Sequence, residues 1–364
     1  MRTAIRAVLG AVLALAALAV AAGPAMASGK GDVFTSTNGS SGNRVLAFDR
    51  TGNGALKPAG SFATGGNGTG AGLGNQGALA LAKGRFLYVV NAGSDNISAF
   101  KLRSRGLKLV DITPSGGDQP ISLTIHRGLL YALNAGSGTI SGFTRANNGG
   151  LTPLAGSTEP IAGSGPAQVE FSNDGDVLVV TNKDTNTIDT FVVGADGTPG
   201  SAQSQPSEGD TPFGFAFDRR NHLIVSEAFG GAPGASAVSS YSLDASGLLT
   251  TISASVPDHE AAACWIVVTK NGRFTYTTNT GSDSISSYFI GQDGSLGLLE
   301  QVAAATGVGS APTDMALSSS SRLLFTLLPG TGEVASHRVA GDGGLTAVDQ
   351  VGGVPGSASG LAAR

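Results

Sequence analysis

An all-β fold, a seven-bladed propeller of four-stranded antiparallel blades, is the fold class that this sequence predicts. A short strand motif occurs seven times, and the spacing between successive copies is nearly constant. The copies are FTSTN (34–38), LYVVN (87–91), LYALN (130–134), LVVTN (178–182), LIVSE (223–227), TYTTN (275–279) and LFTLL (324–328). Their last residues lie 43 to 53 residues apart, a period typical of one four-stranded blade per repeat.

One repeat illustrates the four strands, which we call A to D from the axis outward. Residues 166–172 alternate apolar and polar, 177–182 form a denser apolar run, 187–193 alternate again, and a polar strand is expected near 201–204. Gly, Asn and Asp between these runs suit tight hairpin turns, which need positive φ. In each strand C, Ile or Val followed by Phe or Tyr predicts two side chains in the layer between blades. Only the last repeat has a histidine, His337, instead of the aromatic residue.

The two ends of the chain are predicted to close the ring. The first motif copy begins at strand B, since no strand A lies between Ser28 and residue 33. The last repeat is followed by an additional segment, 354–364, whose spacing matches a strand A. We therefore expect the C-terminal segment to supply the innermost strand of the first blade, which removes the exposed sheet edges that an open ring would leave.

The N-terminal segment has the features of a secretory signal peptide. Arg2 and Arg6 precede an apolar run at 7–22, and Ala25-Met26-Ala27 supplies small residues before a cleavage point after Ala27. The alternative is a membrane anchor, but a run of 16 residues is shorter than the roughly 20 that span a bilayer. The sequence thus predicts a signal peptide at 1–27, one propeller domain at 28–364, and a secreted, extracellular protein.

Composition narrows the classes of partner. Charged residues make up 13% of the chain, the formal net charge is −4, and no basic run occurs, which argues against nucleic acid. A single cysteine, Cys264, allows no intrachain disulfide.

No cofactor is indicated. The acidic spacing at 172–176 weakly resembles a calcium loop but lacks the distal ligands, and the four histidines show no zinc pattern. We expect a monomer without a membrane span.

The repeats resemble a known family. LYVVNAGSDNISAF (87–100) and GRFTYTTNTGSDSISSYFI (272–290) are similar to lactonase-type seven-bladed propellers, a family that includes 6-phosphogluconolactonases and 3-carboxymuconate cyclases. The resemblance covers about 30–364 and implies the propeller fold. For function, it implies a central pocket in which a lactone ring is opened or formed.

The resemblance also points to the positions where active members carry their catalytic groups. Those members have a Pro-Arg-His element at the start of one strand A, and the counterpart here is Pro166, Ala167 and Gln168. Where the family has Asn-Glu and Asn-Arg at the ends of later strands, this chain has Lys183 and Thr280 after the asparagine. The family's proton carriers and anion-binding groups are therefore missing from these positions.

A candidate site can still be placed at the channel mouth formed by the D–A and B–C connections, because ligands favour such concave positions. The third residue of each strand A should face one layer there. That layer contains Ser122, Gln168, Gly214, Trp265 and Asp314, with Ala78 from the less regular second blade. The mixed ring suits a small polar ligand; the alternative is that these side chains, together with water, simply fill the channel.

Two further residues, Glu227 and His259, carry side chains that can take part in proton transfer. Glu227 replaces the asparagine that ends strand B in most blades and opens the long loop 228–237. A carboxylate there, with a pKa raised by burial, would suit a general base; the alternative is a carboxylate held by loop N–H groups. His259 lies beside Glu260 in a D–A connection, where an exposed turn is the alternative to a base and its orienting partner.

The sequence leaves two function classes open. In the first, a non-catalytic or divergent propeller binds a small molecule such as a lactone, a glycan or an extracellular protein, and Gln168, Trp265, Ser122 and His259 are the candidate ligand-binding residues. In the second, a lactone-ring hydrolase or cyclase has a relocated catalytic set, with Glu227 or Asp314 activating water. The absence of the family's His and Arg favours the first class.

Overall fold

The structure is a computed structural model, and it describes residues 32–82 and 85–364. It shows seven antiparallel sheets arranged as successive blades, which confirms the predicted all-β seven-bladed propeller. The predicted signal peptide, 1–27, lies outside the described residues. In the part of the chain that is described, no helix is long and apolar enough to cross a membrane.

The strands are numbered in chain order. Blades 1 to 3 contain β1 (Val33–Ser36), β2 (Arg44–Arg50), β3 (Leu56–Ala63), β4 (Leu79–Ala82), β5 (Phe86–Asn91), β6 (Asn96–Arg103), β7 (Gly106–Pro114), β8 (Pro120–His126), β9 (Leu129–Asn134), β10 (Thr139–Arg145), β11 (Leu151–Pro153) and β12 (Glu159–Pro160). Blades 4 and 5 contain β13 (Pro166–Phe171), β14 (Val177–Asn182), β15 (Thr187–Val192), β16 (Gln203–Pro206), β17 (Pro212–Phe217), β18 (His222–Glu227), β19 (Ala237–Leu243) and β20 (Leu249–Pro257). Blades 6 and 7 contain β21 (Ala263–Val268), β22 (Phe274–Asn279), β23 (Ser284–Ile290), β24 (Leu296–Ala305), β25 (Met315–Leu317), β26 (Leu323–Leu328), β27 (Glu333–Val339) and β28 (Leu345–Gly352), and β29 (Ser359–Ala363) ends the chain.

Six blades use consecutive strands, and the first blade combines the two ends of the chain. Its order is β29-β1-β2-β3, with Phe34 paired to Ala362 and Thr35 to Leu361. The Thr35 hydroxyl donates to the Gly360 carbonyl, and Arg364 lies 3.4 Å from Asp32. This confirms that the C-terminal segment supplies the innermost strand of blade 1. The only helical element among the described residues is a short 3-10 turn at Phe229–Gly231 in the B–C loop of blade 5.

The hydrophobic core lies between blades, and the two apolar side chains of strand C pack against different neighbouring blades. The expectation was that the two apolar residues of each strand C enter one layer. Instead, Ile188 packs against blade 5 while Phe191 packs against blade 3. Residues three apart in a strand point to opposite faces, so each strand C binds both neighbours. In blade 7 His337 takes the aromatic position, and burial lowers its pKa to about 4.

Strand-B tyrosines add a repeated polar link between blades. The hydroxyls of Tyr88, Tyr131 and Tyr276 each donate to a glycine carbonyl in the C–D turn of the following blade, at 2.9, 2.6 and 2.8 Å. The acceptors are Gly149, Gly197 and Gly343, all at positive φ. Each link satisfies a hydroxyl that the packed layer would otherwise leave without a partner.

Removing β29 should destroy cooperative folding rather than weaken it slightly. Deletion of 359–364 exposes the β1 edge and uncovers the Phe34 layer, so we expect the single thermal unfolding transition to be lost or to fall sharply, with aggregation. Circular dichroism during heating measures this. The matched control joins residue 364 to residue 32 through a short linker and opens the chain in the exposed turn near Gly341; this permutant should keep one transition. A deletion variant with unchanged melting would contradict the closure argument.

Candidate functional site

The predicted ring of third residues forms a belt between neighbouring inner strands. Ser122 Oγ accepts from the Val169 N–H at 3.1 Å, which links blade 3 to blade 4. Gln168 clamps the next strand with both ends of its amide: Oε1 accepts from Phe215 N at 2.7 Å, and Nε2 donates to Phe215 O at 2.9 Å. Asp314 Oδ2 accepts from Gly360 N at 2.9 Å. These side chains connect blades to one another.

The channel at this level is filled by residues 74–77, which we call the axial segment. It comes from the connection between blade 1 and blade 2 and bonds to blades across the ring. Asn75 Nδ2 donates to Ile121 O in blade 3, and Asn75 Oδ1 accepts from Ser359 Oγ at 2.9 Å in blade 1. The Gln76 N–H donates to the Ala167 carbonyl at 3.1 Å in blade 4. The axial segment therefore serves as a hub on the propeller axis.

Gln76 also makes the contact that a ring side chain of blade 5 would make, since blade 5 has a glycine at that position. Blade 5 has Gly214 at the ring position, and Gln76 reaches across to bond Ile266 of blade 6, accepting from its N–H at 2.9 Å and donating to its carbonyl at 2.8 Å. This repeats the clamp that Gln168 makes on the following blade. A Cβ on Gly214 would lie 2.2 Å from Gln76 Oε1, so the glycine is what admits the axial segment.

Lys183 and Trp265 hold the axial segment in place. Lys183 Nζ donates to Gly74 O at 2.6 Å and lies 4.9 Å from the centre of the Phe213 ring. Burial lowers the Lys183 pKa. Trp265 Nε1 donates to Asn75 O at 2.6 Å. Lys183 stands where the resemblance placed a family glutamate, and here its ammonium group positions the backbone.

This arrangement corrects the predicted location of the open space. We expected the ring to face a ligand pocket at the mouth between the D–A and B–C connections, but the axial segment occupies that level. Ser122 is fully buried, and the Trp265 indole N–H is already bonded. A ligand-binding role for these two residues stays a prediction, and it requires the axial segment to move.

A cavity of about 260 Å³ lies in the channel beneath the axial segment. Its lining reaches residues deep in the inner strands, such as Ile125 and Glu170, toward the A–B turns. Most of its accessible surface is polar; two carboxyls, two amide side chains and one hydroxyl line it together with several aliphatic side chains. The lining residues are Gln76, Gly77, Ala80, Leu81, Leu123, Thr124, Ile125, Gln168, Val169, Glu170, Asp314, Met315 and Leu361.

The two carboxyl groups of the cavity are the principal chemical finding. Burial raises the pKa of Glu170 to about 8. The hydrogen bond that Gln168 Nε2 donates to Glu170 Oε2 at 2.8 Å acts in the opposite direction and lowers this pKa. Burial also raises the pKa of Asp314 to about 7, against donors that include the N–H groups of Gly360 and Gly77. No basic side chain is among the residues that line this cavity. Near neutral pH both carboxyls are therefore poised between the acid and its anion.

Glu170 was missed by sequence analysis, although a signal existed. It lies two residues after Gln168 on β13, and residues two apart in a strand share a face. A candidate at Gln168 therefore implied a carboxylate one step deeper in the same channel. The long glycine-rich connection 65–77 was the corresponding signal for the axial segment, since it is much longer than a normal D–A turn.

Glu227 lies elsewhere, in a polar network at the end of strand B. In other blades the asparagine at this position donates to a strand-C serine, as Asn91 does to Ser98 and Asn279 to Ser286, both at 2.7 Å. Glu227 instead accepts from Ser239 Oγ, from Ser255 Oγ at 2.6 Å and from Gly209 N at 2.9 Å. Burial raises its pKa.

The Glu227 oxygens are thus already hydrogen-bonded, to two serine hydroxyls and one N–H group, whereas the alternative stated from the sequence was a carboxylate held by loop N–H groups. Glu227 is not among the residues lining the cavity that holds Asp314, so the structure does not bring the two predicted catalytic residues into one pocket. Their catalytic roles stay predictions.

The remaining candidates lie outside the channel. His259 is exposed at φ 63°. Its neighbour Glu260 accepts from Ser284 and Gln301 of blade 6. Burial raises the Cys264 pKa to about 12, which leaves the thiol protonated. Residues 172–176 form an A–B turn closed by a bond from Gly175 N to Ser172 O. Among residues 32–82 and 85–364, no group of three His, Cys, Asp or Glu is placed to hold a metal.

The chain matches the model of one protein family over most of its length. The family model for the lactonase, 7-bladed β-propeller matches three overlapping stretches, 40–163, 155–261 and 235–359. The chain belongs to this family. Together the matches span residues 40–359 of this lactonase-family propeller. No curated protein sequence matches it significantly.

Solved structures similar to this lactonase-family propeller share its fold at low sequence identity. A protein from Lactobacillus plantarum has 18% identity and a TM-score of 0.72, covering 91% of this chain and 98% of its own. A putative 6-phosphogluconolactonase from Bacteroides uniformis has 18% identity and a TM-score of 0.69, covering 90% and 99%. A periplasmic gluconolactonase from Pseudomonas aeruginosa has 16% identity and a TM-score of 0.71, covering 91% and 98%. At these identities the likeness shows the fold.

A methyl group at Gly214 should displace the axial segment. In Gly214→Ala the new Cβ would lie 2.2 Å from Gln76 Oε1 and 2.7 Å from the Cys264 carbonyl oxygen, so we expect a loss of about 1–3 kcal/mol in the free energy of unfolding. Urea denaturation measures this. Gly72→Ala is the matched control, because nothing lies within 4 Å of a Cβ there. Equal effects of the two substitutions would refute the hub.

The channel carboxyls should make stability fall as pH rises. Their folded pKa values, about 8 and about 7, exceed the roughly 4 of unfolded carboxyls. The folded state therefore binds more protons between about pH 4 and 8, and the stability that these groups contribute is lost as pH rises through that range.

Urea denaturation at pH 5.5, 7 and 8.5 checks the sign of this dependence. Glu170→Gln should flatten the decline, since its amide stays neutral, whereas the exposed Glu300→Gln on β24 should leave it unchanged. If Glu170→Gln kept the wild-type slope, the Glu170 assignment would be wrong.

Proposed function

We propose that this lactonase-family propeller is a non-catalytic member that binds a small, hydroxyl-bearing molecule in the channel cavity beneath the axial segment. The observation that carries the proposal is the filled axis. Residues 74–77 occupy the level at which the family resemblance places its reacting groups, and Gln168 stands there as a clamp on Phe215. The space that remains accessible is the cavity on the other side.

The cavity chemistry supports a neutral, hydrogen-bonding ligand with an apolar face. Glu170 and Asp314, with pKa values near neutrality, can each donate from the acid or accept as the anion. Leu81, Leu123 and Ile125 supply apolar walls. The volume of about 260 Å³ suits a single-ring molecule such as a sugar or its lactone, and such sites combine apolar walls with a few placed polar groups.

A catalytic function is the second candidate, and one observation favours it. Two carboxyls that line one cavity, with different raised pKa values, are an arrangement that supports general acid and base chemistry. In that case ionised Asp314 activates water and protonated Glu170 donates to the leaving oxygen of a lactone. Against it, no basic side chain lines the cavity to stabilise a developing oxyanion.

Calorimetric titration and a pH-stat separate the two functions. The purified protein is titrated with sugar, acyl and muconate-type lactones and with the corresponding open acids, and acid release is followed on the same panel. We expect saturable binding of at least one compound without acid release above the buffer rate. Glu170→Gln should weaken binding about tenfold, as expected for one lost charge-assisted hydrogen bond, and Ala80→Leu should block it by filling the cavity.

The matched control is Glu300→Gln, which changes charge on the outer surface of blade 6. Acid release that disappears in Glu170→Gln would overturn the non-catalytic proposal in favour of the lactonase. Binding that is unaffected by both cavity variants, each shown to be folded by circular dichroism, would overturn the channel site.

We also propose that the protein is exported, on the strength of the sequence features at 1–27. The full-length chain is produced in a bacterial host with a general secretory pathway. The protein should then appear outside the cytoplasm, with the mass expected for a chain that starts at Ser28. Intact-mass measurement of each cell fraction tests this, and a full-length mass confined to the cytoplasm would contradict export.

A further inference from the structure

A concave surface that is rich in arginine lies outside the channel, at turns of blades 6, 7 and 1. This cavity of about 560 Å³ is a groove formed by the A–B turns of blades 6 and 7 and the C–D turns of blades 7 and 1. We call it the arginine groove. Its lining residues are Arg50, Gly52, Asn53, Thr269, Asn271, Phe274, Ser320, Ser321, Arg322, Leu323, Arg338, Val339, Ala340 and Gly341.

We propose that the arginine groove binds a phosphate or sulfate group carried by an extracellular ligand. Three arginines line it, and no carboxylate is among its lining residues. This contrasts with the whole chain, whose formal net charge is −4. Guanidinium groups match tetrahedral oxyanions because their N–H groups can donate in pairs.

Two of these arginines lie at one end of blade 7. Leu323 of β26 pairs with Arg338 of β27, and the N–H of Val339 donates to the carbonyl of Arg322 at 3.0 Å. Side chains alternate along a strand, so this register does not place Arg322 and Arg338 on one face of the sheet, but both border the groove where the two strands turn. Both side chains are exposed, which leaves them open to a ligand.

The third arginine comes from the far end of the chain. The C–D turn of blade 1 packs against blade 7, as shown by a Cβ at Gly54 that would lie 2.7 Å from Leu323 Cδ2. Arg338 crosses the same interface, since its Nη2 donates to the Asn53 carbonyl at 3.3 Å. This contact presents half-buried Arg50 to the groove. Ring closure thus assembles a basic site from arginines that the sequence separates by more than 270 residues.

Two acidic residues near the groove, Asp32 and Asp342, have other partners. Asp32 accepts from the Arg50 backbone N–H at 3.3 Å, and its other oxygen lies 3.4 Å from Arg364. Asp342, in the C–D turn of blade 7, accepts from Gly344 N at 3.1 Å. The hydroxyl of Ser320 and the amide of Asn271 add uncharged hydrogen-bonding groups to the lining, so an oxyanion would find both charge and neutral donors.

Titration calorimetry with inorganic phosphate and inorganic sulfate at low ionic strength tests this site, with acetate as the planar anion for comparison. We expect saturable binding of phosphate and sulfate, stronger than that of acetate, and strong weakening in 0.5 M NaCl because the groups are exposed. The Arg322→Gln/Arg338→Gln double variant should bind about tenfold more weakly or worse, as the loss of two exposed ionic contacts implies.

The matched control is Arg103→Gln/Arg105→Gln, which removes two exposed arginines from the C–D turn of blade 2 and changes net charge equally. It should bind phosphate like the wild-type protein. An equal loss in both double variants, equal binding of acetate, or no saturable binding by folded protein would overturn the proposal. Dextran sulfate compared with polyphosphate then distinguishes a sulfated glycan from a phosphorylated ligand, and retention of either polyanion should depend on Arg322 and Arg338.

Discussion

The hydrogen bonds of the axial segment constrain the centre of this propeller more than any other interaction. Most propeller contacts join a blade only to its neighbours, so the structure is stabilised around the ring but not across it. Residues 74–77 change this, because Asn75 reaches blades 1, 3 and 6 and Gln76 reaches blades 4 and 6. The inner strands of blades 1, 3, 4 and 6 are therefore tied to one short segment on the axis.

That constraint also determines which side chains remain available for chemistry. Gln168 and Gln76 use their whole amide groups as clamps on neighbouring strands, and Lys183 uses its ammonium group to hold Gly74. In an open channel the same positions would face a ligand. Polar groups at this level have therefore become structural, and the groups still facing empty space, Glu170 and Asp314, lie one layer deeper. Substitutions that release the axial segment would join the two levels into one longer channel.

The sequence predicted the fold because the fold depends on a repeated local pattern. Seven motif copies, hairpin turns and the additional C-terminal strand are each short-range or end-to-end features, and β29 lies where its spacing implied. The candidate site was predicted only in part, because it depends on where a non-repeating connection goes. Nothing in the composition of 65–77 states that Gln76 crosses the axis to Ile266. Only Gly214, a gap in a ring of side chains, hinted that another residue fills that place.

The same distinction explains Glu227 and the arginine groove. Glu227 differed from its repeat positions, and departure from a repeat is a fair signal of function. Here a carboxylate that accepts hydrogen bonds replaces an asparagine amide that donates them. The strand-C serine changes its role accordingly: Ser239 donates to Glu227 in blade 5, whereas Ser98 accepts from Asn91 in blade 2. Arg50 is far from Arg322 and Arg338 in sequence, yet closure of the ring brings all three to one groove. In a closed repeat fold, a residue that breaks the pattern is explained first by its local partners. A site made by closure becomes visible only when the two ends of the chain are placed side by side.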